Sequence, residues 1–342
     1  MSLSIFVPDE AVLAVGQQAA FGTVLTDAAD FNNTTPEFGH QIKCPPPTID
    51  LDVKHRDDET ARGKRYIDAR DLNRDQKGSN PKITIPDHIV RKDSLAMFLY
   101  AMLQSVVESA TTPYQKVINF HATQPDFTAD AGCFLTALLK MPVASKSIKM
   151  ADMICRTLSL KCDPGDVLRM SCELFGRGTP SLTSNPSGTW TVADDDFFYF
   201  EDLAAYTYNF GGGAASPGIG GFELNLTENI GLIGQDSTAE ACQSYALSKY
   251  GGTFKGSFIW NGTEHAFLTN YPTGTELAIA LNWGTDGVDG YLNMALNGVL
   301  DDVSLTYGDA IMVEATVKLA GNAGDTTEPV VISIADAVDK GW

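Results

Sequence analysis

The chain has 342 residues, room for two domains of ordinary size that each bury a core. Its 44% hydrophobic content and mean hydropathy of -0.07 place it among globular proteins, and no apolar run is long enough to cross a bilayer. The net charge of -19 disfavours ordinary binding to DNA or RNA phosphates, because a field of that sign repels them.

In chain order, the opening "MSLSIFVPDEAVLAVGQQ" places no basic group ahead of its apolar residues, so no secretory signal is expected and synthesis in a cytoplasm is the default. "TIDLDV" (48–53) reads as a strand. Residues 50–80, dense in both signs of charge and poor in apolar periodicity, read as a long loop or arm. "PKITIP" (81–86) is a strand. "KDSLAMFLYAMLQSVVES" then reads as a helix, with Leu95, Phe98, Leu99, Met102, Leu103 and Val106 on one face and Asp93 or Ser94 as N-cap. That stripe should pack on a sheet. Strands follow at "KVINF", "RTLSLKC" and "VLRMSCEL", and a turn-rich linker at 183–192. Beyond it "FFYFEDL", "GFELNLTE", "GTFKGSFIW", "LAIALNW" and "YLNMAL" read as strands, "FGGGAASPGIGG" (210–221) as a flexible connection, and 302–321 as a β-hairpin turning at Tyr-Gly-Asp.

Two units recur in the same order. In "RTLSLKCDPGDVLRMSCELFG" Leu158, Ser159 and Leu160 match Val303, Ser304 and Leu305 of the last hairpin, and Leu174 and Gly176 match Leu319 and Gly321. A strand, a polar cap and an aromatic-leucine pair precede the hairpin both times, at Phe98–Leu99 and at Phe267–Leu268. One such match is what any two hairpins give; two in order point to an internal duplication. The charge is divided unevenly between the halves. Only Lys249, Lys255, Lys318 and Lys340 of the 24 basic residues lie beyond residue 182, against 21 of the 43 acids, so that half carries -17 and the first -2.

Chemistry is sparse. Cys44, Cys133, Cys155, Cys162, Cys172 and Cys242 form no Cys-x-x-Cys and read as buried thiols; only Cys162 and Cys172, facing each other across a hairpin, leave room for a bridge. His40, His55, His88, His121 and His265 are isolated. "GTDGVDGYLN" offers Asp286 and Asp289 to a calcium ion but lacks the acid spacing of a helix-loop-helix site, and turn residues account for it better. The glycines of 210–221 run into a strand where a phosphate cradle needs a helix. No nucleophile, base and electrophilic site assemble, so no enzyme activity, cofactor or metal is expected.

What remains resembles the tail tube (major tail) proteins of long-tailed bacteriophages. "VGQQAAFGTVLTD" is similar to that family's Gly-x-x-x-x-x-Gly-Thr entry, "RTLSLKCDPGDVLRMSCELFGRGTP" to its strand pair, and "FELNLTENI" with "GGTFKGSFIW" to its Asn-bearing and Gly-x-x-x-Gly-Ser-Phe strands. Each motif is short, though the match spreads over most of the chain. The resemblance implies a mainly β protein of two tandem related β-sandwich or barrel tail-tube domains, 1–182 with the charged arm and 190–342, each with a flanking helix.

It further implies rings closed by sheets continuing between neighbours and stacked into a tube for DNA ejection. The family places six tube units around its channel, so a two-unit chain would need three copies, a homotrimer with pseudo-sixfold symmetry, the alternative being a homohexamer. Partners would be the chain itself and the tape measure, tail-terminator and baseplate or tip proteins, with DNA passing unbound and no membrane. The location would be the virion tail, assembled in the host bacterial cytoplasm. Glu173, Glu223 and Glu314, alternating with apolar neighbours, are candidates for an anionic channel wall. Lys54, His55, Arg56, Asp57, Asp58, Arg62, Lys64 and Arg65 are candidates for salt bridges between stacked rings. A two-domain adhesin or capsid decoration protein is the alternative, and a carbohydrate-active enzyme, resting on Trp190, Trp260 and Trp283, a third reading.

Overall fold

The structure, a computed structural model, describes residues 12–25, 39–50, 55–57, 72–74, 80–109, 111–121, 133–141, 146–184, 192, 196–211, 214–216, 218–233, 244–322 and 327–336. The chain is mainly β and its ladders are antiparallel. The strands are β1 (Val12–Gln17), β2 (Gly39–Ile42), β3 (Thr48–Asp50), β4 (His55–Asp57), β5 (Leu72–Arg74), β6 (Lys82–Ile89), β7 (Gln104–Glu108), β8 (Tyr114–Phe120), β9 (Leu135–Met141), β10 (Lys146–Cys162), β11 (Arg169–Ser184), β12 (Leu203–Asn209), β13 (Gly218–Ile233), β14 (Ser244–Ile259), β15 (Glu276–Trp283), β16 (Tyr291–Tyr307), β17 (Ile311–Leu319) and β18 (Val330–Asp336). Helix α1 (Leu95–Leu103) follows β6, and helix α2 (His265–Asn270) follows β14.

All strands but β4 and β5, which pair with each other, belong to one hydrogen-bonded network. Within it a path is written twice. Strands β1-β9-β10-β11-β6-β3 are neighbours in that order, and so are β12-β15-β16-β17-β14-β13. The ladders agree in detail. Leu158 faces Cys172 as Val303 faces Ala315, and each long strand carries one extra residue at the equivalent place, Arg156 between the Cys155–Leu174 and Thr157–Glu173 pairs and Asp301 between Leu300–Val317 and Asp302–Thr316. Such a bulge bends a strand and raises its twist, so both hairpins are bent at the same point. Beyond the ladders, Val90 N–H donates to Leu168 O at 2.9 Å as Trp260 N–H donates to Ile311 O at 2.8 Å. Level with Leu174 stands Val317, not Leu319, because the turns differ in length.

The two paths are stitched together along β10 and β13, where Leu158, Leu160 and Cys162 face Leu226, Leu224 and Phe222. A second seam joins β18 to β8, and β8 to β7. The β7–β8 hairpin occupies a place where α2 is followed only by a short connection, residues 271–275, before β15. Alternate residues drive this sheet: Leu158, Leu160, Leu224, Leu226, Phe254 and Val317 are buried on one face, while their sequence neighbours are polar.

Helix α1 differs from the expected one-sided stripe. Each of its nine residues is buried, Met97, Tyr100 and Ala101 included, so it is enclosed by core and not laid upon it. It also ends sooner. Gln104 takes a left-handed conformation (φ 69°), its N–H closes on Tyr100 O, and Val106 falls in β7. Its buried side chain donates to Glu228 of β13, a long-range tie that outweighs the helical periodicity. Ser94 is the N-cap residue but forms no side-chain cap, its Oγ donating instead to Arg91 O at 3.3 Å. "FFYFEDL" is a 3-10 turn flanked by single bridges from Phe197 to Arg91 and Tyr199 to Val167, not a strand.

Candidate functional site

The strand path β6-β11-β10-β13-β14-β17-β16 forms one continuous surface whose inner face is apolar core and whose outer face is polar. Residues directly opposite one another share a face. One row across it reads Arg169, Lys161, Glu223, Lys255, Thr316, Asp302. The neighbouring rows contain Ser171, Ser159, Asn225, Thr253 and Lys318 on one side and Gly221, Ser257, Glu314 and Ser304 on the other. Glu173 lies further along the same face, opposite Thr157 and Thr84. The three carboxylates singled out by alternation thus share one face.

They do not stand alone there. Glu223 is flanked in register by Lys161 and Lys255, and accepts a hydrogen bond from Asn225 Nδ2 at 2.7 Å. Lys161 Nζ lies 2.6 Å from Asp163 Oδ2, and the bond and charge of Asp163 raise its pKa. Arg156 Nη1 reaches Glu173 Oε1 at 3.4 Å, and Arg169 Nε lies 2.7 Å from Asp87 Oδ2. The face is therefore hydroxyl-rich with interleaved charges of both signs, and sequence alternation could find its acids but not the cations that ladder register brings beside them.

Of the arm residues, Lys54, Asp58, Arg62, Lys64 and Arg65 lie outside the described residues. His55, Arg56 and Asp57 form β4, paired with Arg74, Asn73 and Leu72 of β5.

The structure removes the possible bridge between Cys162 and Cys172. Both are free and buried, Cys172 stands opposite Leu158, and Cys162 opposite Phe222. Burial pushes the Cys162 thiol up to about 12, and Cys44 likewise. Trp283 is a core residue whose Nε1 donates to Tyr199 O at 2.8 Å, Trp260 is half-buried against the core, and Trp190 lies outside the described residues. "GTDGVDG" is a turn with Gly284, Gly287 and Gly290 at positive φ, and Asp286 Oδ1 accepts from Gln115 Nε2 at 2.9 Å. A cavity of about 650 Å³ beside β12, β15 and β16 is lined by Asn209, Asn297, Asn322, Thr327 and one carboxylate, Glu276. Among the described residues no group of His, Cys, Asp and Glu is arranged to hold a metal, and no helix is long and apolar enough to cross a membrane.

One buried charge that bridges several strands was missed by sequence reading. Asp152, 1% exposed and at φ 50°, accepts from Gln18 Nε2 (2.8 Å), Gly22 N–H (2.6 Å) and Arg177 Nε (2.9 Å), while its carbonyl accepts from Tyr245 OH at 2.9 Å. It ties β1, β10 and β11 to β14 across the seam. A lone Asp between Ala and Met gives no sequence signal of this.

In comparisons with known proteins, no family model matches the chain, and no curated protein matches it.

Proposed function

We propose that this chain is a structural subunit of a tubular virion assembly, the tail tube of a long-tailed bacteriophage. The observation that carries the reading is the strand path written twice with the same bulge and joined edge to edge by β10 and β13. Two kindred modules, 1–182 and 190–342, side by side in one sheet are one segment of a ring, and such a segment closes on itself when its free edges meet those of sister copies. Three chains then supply six modules, and stacked rings give the tube, with the arm at 50–80 bridging successive rings through its mixed charges. The polar face of the joined sheet suits a channel wall. Its lysines and arginines are matched by Asp163, Glu173, Glu223 and Glu314, so DNA phosphates gain little by displacing counterions there and the duplex slides. Tape measure, terminator and tip proteins would cap such a tube.

Negative-stain microscopy and native mass measurement on the concentrated purified chain test this. The expected result is annuli and tubes with three chains per ring. A monomer that stays discrete at high concentration overturns the assembly, and six chains per ring overturn the two-module count. Deleting residues 54–65 is expected to leave folded rings that do not stack.

A further inference from the structure

The duplicated path also identifies the surface by which one copy meets the next, an inference that rests on the ring reading. In the first path the distal half of β10 is paired on both sides, by β11 and by β13. Under that cover Leu158 is 1% exposed, Leu160 0% and Cys162 1%. The equivalent half of β16, residues 302–307, pairs among the described residues only with β17. Val303 and Leu305 are there half-buried and Tyr307 is 73% exposed. The same strand of the same path therefore has one ladder where its twin has two, and its side chains are correspondingly uncovered.

The twin also says what the missing strand is. The strand on β10 is β13, which itself pairs with β14. The equivalent of β13 in the first path is β3, which pairs with β6: Thr48–Thr84, Ile49–Ile83 and Asp50–Lys82 stand where Glu223–Lys255, Leu224–Phe254 and Asn225–Thr253 stand in the second. Thr48 and Asp50 are exposed. Within one chain β3 and the distal half of β16 belong to opposite ends of the joined sheet. We infer that residues 303–307 of one copy add to β3 of a second copy, antiparallel, in the register of the β10–β13 seam. Carrying that register over sets Ser304 opposite Asp50, Leu305 opposite Ile49 and Thr306 opposite Thr48 of the neighbouring copy.

The geometry is head to tail, so it propagates until the rotation closes. It puts Leu305 and Ile49 on the core face, as Leu160 and Leu224 are, and the two threonines on the polar face. The copies are joined more lightly than the modules of one chain. The second seam within a chain uses the β7–β8 hairpin, whereas α2 and β15 of the second path have only residues 271–275 between them.

Cross-linking tests both partner and register. A disulfide needs Cα atoms roughly 4.4–6.8 Å apart, which directly opposed residues satisfy and diagonal ones, at about 7–8 Å, do not. The double variant Thr48→Cys with Thr306→Cys, assembled and then oxidised, is expected to give a non-reducing ladder of covalent multimers that ends at the ring size. Asp50→Cys with Thr306→Cys, out of register, and each single variant are expected to stay monomeric on the gel. Rings visible by microscopy without the in-register ladder overturn this inference and leave the ring reading standing. A bridge formed only inside one chain, or equal yields from both double variants, also overturns it. Failure of the unmodified chain to form rings at any concentration overturns the ring reading, and this inference with it.

Discussion

Glu228 offers the sharpest test of how the two strand paths are held together. It lies on β13, is 4% exposed, and accepts a hydrogen bond from Gln104 at the end of α1. Burial raises its pKa from the ordinary 4.5 to about 7, and the Gln104 bond only partly offsets this. Between those two values the folded chain holds a proton that the unfolded chain has released. Stability from this site is therefore fully present below pH 4.5 and is lost as the pH rises to about 7. At about 1.4 kcal/mol per pKa unit, the interval corresponds to about 3 kcal/mol. Glu228→Gln keeps the shape and the acceptor for Gln104 but cannot ionise. Urea unfolding at pH 5, 6, 7 and 8, followed by tryptophan fluorescence, is expected to place the variant level with the parent in acid and up to about 3 kcal/mol above it at pH 8. The other carboxylates titrate in both proteins, so the difference isolates this one. A difference that stays flat from pH 5 to pH 8 would show that the seam is not built around a buried acid.

Asp152→Ala strips three donors of their acceptor and leaves Arg177 facing an apolar side chain, so a loss of about 3–5 kcal/mol in urea unfolding is expected; a loss under 1 kcal/mol would contradict the hub. Phe267→Ala empties a cluster in which its ring lies 4.7 Å from Phe258, 4.7 Å from Tyr208 and 5.3 Å from Phe210, at an expected cost of about 3–5 kcal/mol; the measured change in denaturation midpoint checks it. Glu173→Lys, Glu223→Lys and Glu314→Lys together leave the cations of the polar face unmatched, so duplex DNA should bind with a steep salt dependence in fluorescence anisotropy where the parent does not bind; unchanged anisotropy would remove the face from the channel. Assembly, followed by light scattering, should quicken between about 0.05 and 0.5 M salt, because the repulsion between whole copies, each of net charge -19, is screened over that range; slower assembly in salt would oppose it.

Where a strand buries one face and wets the other, its sequence declares it. The cores of β10, β11, β13, β14, β16 and β17 were legible for that reason, and with them the repeat. Strand β9 was not: Leu135, Thr136, Ala137 and Leu138 are all buried, so "LTALLKM" has no alternation to read. Helix α1 was overextended because periodicity carries no information about Gln104, whose left-handed turn is fixed by a residue 124 positions away. The same limit governs the candidate site. Glu173, Glu223 and Glu314 could be picked by alternation, but that Lys161 and Lys255 flank Glu223 follows from register, which a one-residue change in a turn would shift. The mismatch of Leu174 with Leu319 is that effect in small, a turn of unequal length displacing the second strand of an otherwise faithful copy.

The open half of β16 and the charge of its half of the chain belong to one argument. An edge strand that must stay alone is ordinarily guarded by proline, lysine or an inward charge. Val303, Ser304, Leu305, Thr306 and Tyr307 carry none of these; they alternate apolar and hydroxyl side chains as a strand does when it is to be paired on both sides. Left bare, such a segment would recruit any strand it met, its own kind in any register included. The -17 of residues beyond 182 supplies the missing guard at longer range, since two acidic halves repel before their edges touch, while the first half, at -2, does not repel the second. For the bare edge of β16, which lies in the acidic half, approach to the first half of another copy, head to tail, is then the encounter that charge does not oppose. The uneven division of charge selects the same pairing that the duplicated ladder specifies.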